Sequence, residues 1–274
     1  TGAQTYNDAV TLGANATITG VANTFASTVN GAGGLTVNDS ATTTFSGAVG
    51  GTTALSSLST DNAGTTAING GLVSTTGAQT YNDAVTLGAN TTITGVANTF
   101  ASTVNGGFTL TVNDSATTTF SGAVGGTTAL SSLSTDNAGT TAINGGLVST
   151  TGAQTYNDAV TLGANATITG VANTFASSVN GAGGLTVNDS ATTTFSGAVG
   201  GTTALSSLST DNVGTTAING GLVSTTGAQT YNDAVTLGAN ATITGVANTF
   251  ASSLDGGFTL TVNDSATTTF SVAV

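Results

Sequence analysis

Residues 1–45 read TGAQTYNDAVTLGANATITGVANTFASTVNGAGGLTVNDSATTTF, and Tyr6, Phe25 and Phe45 beat time through them. The two intervals are nearly equal, nineteen positions and then twenty. Similar phrases gather around that beat: TYNDAVTL from Thr5, TFASTVNG from Thr24, TFSGAVGG from Thr44 and TAINGGLV from Thr66. Each starts with Thr, reaches a large apolar residue within two positions, crosses small polar residues and returns to Val or Leu. Inside the phrases the pattern alternates. AVTL (9–12) sets Val10 and Leu12 on one face, and ATITG (16–20) adds Ile18. FTLTV (108–112) places Phe108, Leu110 and Val112 against two threonines. Period-two alternation rich in Thr and Val predicts short, half-buried strands. NG, GG, ND and GAN lie between them and carry turn chemistry. No apolar residues recur at helical spacing over a useful length.

A longer period contains the short one. TGAQTYNDAVTLGAN returns unchanged at Thr76, Thr151 and Thr226. The repeats are 1–75, 76–150, 151–225 and a partial 226–274. Copies one and three differ only at Thr28/Ser178 and Ala63/Val213, while the second copy departs from the first at Thr91, Gly107, Phe108 and Thr109. Four phrases per repeat give rungs of about 19 residues. Such a unit cannot bury its own apolar face, but stacked on copies of itself it can. The expected fold is therefore all-β: one continuous parallel β-solenoid, or β-helix, over 1–274, with four rungs per repeat. At the inter-strand spacing of ~4.8 Å, fourteen to fifteen rungs would make a rod roughly 70 Å long. Like residues would stack inside, and corner asparagines would form amide ladders. A string of small β-sandwiches, one per repeat, fits less well. The strands are short, Trp and Cys are absent, and the inner period would have no role.

Composition narrows the function. The 274 residues carry no Lys, Arg or His, and all 12 acidic residues are Asp, for a net charge of −12. With no cation, nucleic-acid binding through phosphates is excluded, as is a basic membrane anchor. No apolar run approaches the ~20 residues of a membrane-spanning helix. Without Lys or Arg there is no site for trypsin-like proteases, which points to an extracellular or cell-surface location. No signal peptide or initiator Met is visible, and the chain starts and stops inside a repeat, so it reads as a segment of something longer.

No residue stands out as a catalytic, cofactor-binding or metal-binding site, and no cofactor is expected. Asp8, Asp39 and Asp61 recur in each full repeat, and Asp255 stands where the other copies have Asn. Clustered aspartates could cleave glycosides or bind Ca²⁺. However, GGLTVNDS (33–40) lacks the glycine spacing of a Ca²⁺-binding β-helix repeat, and no His, Lys or Glu could serve as an alternative base. The aspartates read as turn residues bonding local backbone. Asn15 and Asn38 head glycosylation sequons in each repeat. Gly50–Gly51 and Gly70–Gly71 are corners, since no Lys follows to make a phosphate loop. TIT (17–19) and TLT (109–111) invite comparison with ice-binding solenoids, but their irregular spacing argues against one uninterrupted Thr array.

The near-identical repeats TGAQTYNDAVTLGAN…ATITG…TTFSGAVGGTTALSSLSTDNAGTTAINGGLVST resemble those of giant bacterial surface proteins, namely filamentous-haemagglutinin-type exoproteins and β-strand-repeat adhesins. The resemblance covers the whole chain. It implies a right-handed parallel β-helix, secretion across an outer membrane and a fibrous stalk. The secretion signal, carbohydrate-recognition module and membrane anchor of such proteins are not in this sequence. The expected role is a non-enzymatic structural shaft that associates with itself, end to end or laterally, with Thr1 and Val274 at opposite ends of a rod. Alternatives are an adhesin binding glycans or host surfaces along the rod, and an ice-binding or Ca²⁺-dependent solenoid. Neither nucleic acid nor membrane insertion is expected.

Overall fold

The computed structural model describes residues 2–272 and is a parallel β-solenoid. Thr1 and Val274 lie outside the described residues. The described residues form 37 short strands and no helix. They divide into two compact units, Thr1–Gly139 and Thr140–Val274.

In the first unit, β1 (Gln4–Tyr6), β2 (Val10–Thr11) and β3 (Ala16–Thr19) are three sides of one turn. The next turn lays β4 (Asn23–Phe25), β5 (Val29–Asn30) and β6 (Leu35–Asn38) on them, each parallel to the strand below. Alternation decides the faces, because successive side chains of a strand point to opposite sides. In β6, Leu35 and Val37 are buried while Thr36 and Asn38 are half-buried on the outside. The interior column on the β1 face runs Tyr6, Phe25, Phe45, Ile68, Leu87 in strict register. The second unit repeats the arrangement, with Tyr156, Phe175, Phe195, Ile218 and Leu237 as the equivalent column.

The turns are not uniform. Along the first column the chain advances nineteen positions to Phe25, twenty to Phe45, twenty-three to Ile68 and nineteen to Leu87. On the neighbouring side Val49 pairs with Val73, a step of twenty-four positions. The extra residues fall in GGTTALSS (50–57), which swells one corner and tucks Leu55 into the interior beside Thr75. Gly50 makes that corner possible. Its φ is 71°, and a Cβ there would come within 2.1 Å of the Ser74 carbonyl oxygen.

This uneven step changes how the repeat maps onto the turn. Gln79–Tyr81, the copy of β1, pairs with Leu58–Thr60 and thus lies on the β3 face, not the β1 face. One repeat spans three turns and two further sides, eleven sides in all. A turn therefore averages about 20 residues, the short end of the range for stacked repeats. The count of four rungs per repeat becomes three and two-thirds. The same displacement separates Gln154–Tyr156 from Gln229–Tyr231 in the second unit.

Every repeat supplies one stack of three rings. Tyr6, Phe25 and Phe45 stack at 5.0 and 5.1 Å between centroids, nearly parallel. Tyr81–Phe100–Phe120 and Tyr156–Phe175–Phe195 do the same. The ring spacing follows the strand spacing, so the parallel ladder dictates face-on stacking. Apolar burial of these rings stabilises the turns that carry them.

Candidate functional site

Twelve aspartates are the chain's only acidic side chains, and their bonding differs from the expectation of turn residues tied to local backbone. Most sit at corners, while Asp255 and Asp264 end the strands Leu254–Asp255 and Leu260–Asp264. Yet Asp39, Asp83, Asp114, Asp158, Asp189 and Asp233 are all 5% exposed or less. The reason is packing against neighbouring turns. Asp83 Oδ1 accepts from the Thr60 hydroxyl at 2.7 Å, and Thr66, 17 residues earlier, donates to both its oxygens at 3.0 and 2.9 Å. Asp233 accepts from Thr210 at 2.6 Å and Thr216 at 2.8 Å. Asp39 accepts from Thr43 and from Asn23 Nδ2. Most of these bonds join side chains of stacked turns rather than a side chain and its local backbone. Asp8 and Asp255 are exposed, and Asp61 and Asp211 are half-buried.

Burial pushes the Asp83 and Asp233 carboxyls above the usual carboxylate range, against the pull of their hydroxyl donors. Asp189 is pushed up to about 6, chiefly by burial and further by Asp211 and Asp233. With no cationic residue in the chain, no salt bridge can offset the cost.

A second buried polar group lies outside the residues that the sequence singles out. Gln79 is fully buried, accepting from the Tyr81 hydroxyl at 2.7 Å and donating to the Thr94 carbonyl at 2.7 Å and to Thr75 Oγ1 at 3.2 Å. Gln154 and Gln229 repeat this. The spacing Gln-x-Tyr, which puts both side chains on one face of a strand, is the available clue. Burial and the neighbouring aspartate push the Tyr81, Tyr156 and Tyr231 hydroxyls far up, so each stays a donor.

Corner asparagines bond backbone rather than forming the expected amide ladders. Asn15 Oδ1 accepts from the backbone N–H of Gly34 at 2.8 Å, one turn on, and Asn30 Oδ1 accepts from Thr52 N–H at 2.9 Å. Among the described residues the surface opens into no cavity, and no group of three or more Asp, Glu, His or Cys is placed to hold a metal.

On the outside, a serine interrupts each Thr array, Ser59 in the first unit and Ser209 in the second, but the register of hydroxyls runs on through it. Thr17, Thr36, Ser59, Thr80, Thr99 and Thr119 lie in one unbroken register on the β3 face of the first unit. Thr167, Thr186, Ser209, Thr230, Thr249 and Thr269 do so in the second. The longer turns absorb the irregular sequence spacing, so strands realign although their separations vary. The largest aromatics point inward, and Phe108 and Phe258 are the exposed rings away from the last strand. The chain matches no known family model, curated protein or solved structure.

Proposed function

We propose that the chain is a non-enzymatic structural segment in the shaft of an extracellular filament or large surface adhesin, associating with further copies of itself. One observation carries this reading. Interior apolar columns, ring stacks, buried carboxylates and corner amides all make bonds or contacts from one turn to the next. Stability of such a fold is a sum over turns and interfaces between turns, which suits a load-bearing element of adjustable length. Two measurements test it. Antibody against the chain is expected to label intact source cells without permeabilisation. Light scattering and electron microscopy of the purified chain are expected to show elongated assemblies that grow with concentration. Labelling only after permeabilisation, together with monodisperse short monomers, would overturn the proposal.

The unbroken hydroxyl ladders favour ice binding as a second reading. Six regularly spaced, short, β-branched or small side chains present hydroxyls at ~4.8 Å intervals. No Lys or Arg side chain projects among them, and they present no exposed ring on which a sugar could stack. A rigid, neutral, periodic partner such as an ice surface fits that chemistry. Thermal hysteresis in a solution of the chain, lowered by Thr80→Tyr and Thr99→Tyr together, supports it. Absence of hysteresis and of ice shaping rejects it.

A further inference from the structure

We propose that the solenoid carries a proton switch at Asp189 and Asp233 of the second unit, which take up protons on mild acidification and tighten the turns. Among residues 166–250 the only titratable side chains are Asp189, Asp211, Tyr231 and Asp233. Asp211 and Asp233 are the charged groups acting on Asp189. Asp211 acts on Asp233, which in turn acts on Tyr231. No cation on any neighbouring strand can balance the carboxylates, so a proton is the only neutralising partner the chain's own chemistry allows.

At Asp189 hydrogen bonding points the same way. Asp189 Oδ2 accepts from the buried Thr193 hydroxyl, while its Oδ1 is buried with no donor. Asn173, fully buried, has neither amide atom paired. The equivalent residues of the first unit, Asn23 and Asp39, are in contact at 3.3 Å, which makes Asn173 the neighbour of Asp189. A proton on Asp189 removes the buried charge and supplies a donor where the Asn173 carbonyl oxygen lacks one. Asp233 has its two hydroxyl donors, but it shares the corner with Asp211 and carries its charge at 4% exposure.

The sign of the effect is opposite to ordinary acid unfolding. A carboxyl that binds protons more tightly when folded than when unfolded stabilises the fold most below its unfolded value, and that stability is lost as pH rises through the folded value. For Asp189 the window runs from 3.8 to about 6. Between pH 7.5 and pH 5.0 that residue alone should lower the unfolding equilibrium constant roughly tenfold.

Urea unfolding of the whole chain, followed by far-ultraviolet circular dichroism at pH 7.5, 6.5, 5.5 and 5.0, tests the proposal. The expected result is a midpoint that climbs steadily toward acid. Asp189→Asn combined with Asp233→Asn should lessen that climb, leaving the part that Asp83 contributes, and raise the midpoint at pH 7.5. Asp255→Asn, which removes one exposed charge, should leave the slope in place. A wild-type midpoint that stays level or falls toward pH 5.0 overturns the proposal without need of any variant. So does an equal flattening by Asp255→Asn, which would assign the effect to net charge alone.

Discussion

Replacing Phe100 with Ala removes the middle ring of a stack and should loosen one region of the solenoid while sparing the rest. Phe100 is 1% exposed and lies 5.1 Å from Tyr81 and 5.2 Å from Phe120. Truncating a buried Phe to Ala costs about 3–5 kcal/mol, a figure that includes the lost apolar burial and the cavity left behind. The upper half of that range applies here. Two ring contacts disappear at once, each worth about 0.5–1.5 kcal/mol. Moreover, the flanking rings are held by strand register, Tyr81↔Phe100↔Phe120, so they cannot collapse into the gap without breaking ladder bonds. In a stacked fold the loss stays near the site, because each turn contacts only its neighbours. Native-state hydrogen exchange read by mass spectrometry is the suitable assay. The stretch 91–112 differs in sequence from its counterparts in the other copies, so its peptides are identifiable. Protection there should drop by about 4 kcal/mol or more, an acceleration of about a thousandfold. Peptides around Phe175 should be unchanged. Thr99→Ala, on the outer side of the same strand, should change protection by less than about 0.5 kcal/mol. An even loss of protection along the whole chain, or a loss below about 1 kcal/mol at the site, would refute the stacked-turn reasoning.

Other substitutions probe different parts of the fold. Gln79→Leu leaves the Tyr81 hydroxyl and the Thr94 carbonyl without their partner, and should lower stability in urea by about 1–3 kcal/mol. Tyr81→Phe should partly relieve that defect in the double variant. Gly50→Ala forces a side chain into left-handed backbone and against the Ser74 carbonyl, and should cost more than about 1 kcal/mol in the same assay. Gly107→Ala, where a Cβ meets nothing within 4 Å, should be nearly silent.

Much of this fold is legible in the sequence because its logic is local. Alternation in ATIT and TLTV marks strands, and the near-even spacing of Tyr6, Phe25 and Phe45 marks the stacked column. Counting fails where the spacing breaks. The long interval from Phe45 to Tyr81 reads as two shorter or less regular rungs with Ile68 between them. In the structure Ile68 does follow Phe45 in its column, but Tyr81 belongs to another face. A single repeat cannot reveal that, because face assignment depends on how far each corner bulges. The buried aspartates are hidden for a similar reason. Asp beside Asn and Ser suggests an exposed turn, and the hydroxyls that receive it come from turns 17 and 23 residues away. Spacing in sequence argues against the hydroxyl ladder, although register in space is what aligns it.

The central claim is the parallel register between successive turns, and cross-linking tests it most directly. The chain has no native cysteine, so introduced pairs report without background. Thr80 and Thr99 are register partners on adjacent parallel strands, at a Cα separation of ~4.8 Å that a disulfide can span. Thr80→Cys with Thr99→Cys, and Thr99→Cys with Thr119→Cys, should oxidise readily to intramolecular disulfides. Thr80→Cys with Thr119→Cys, two turns apart, should remain as free thiols. Ready closure of the Thr80/Thr119 pair, with free thiols in both neighbouring pairs, would contradict the solenoid.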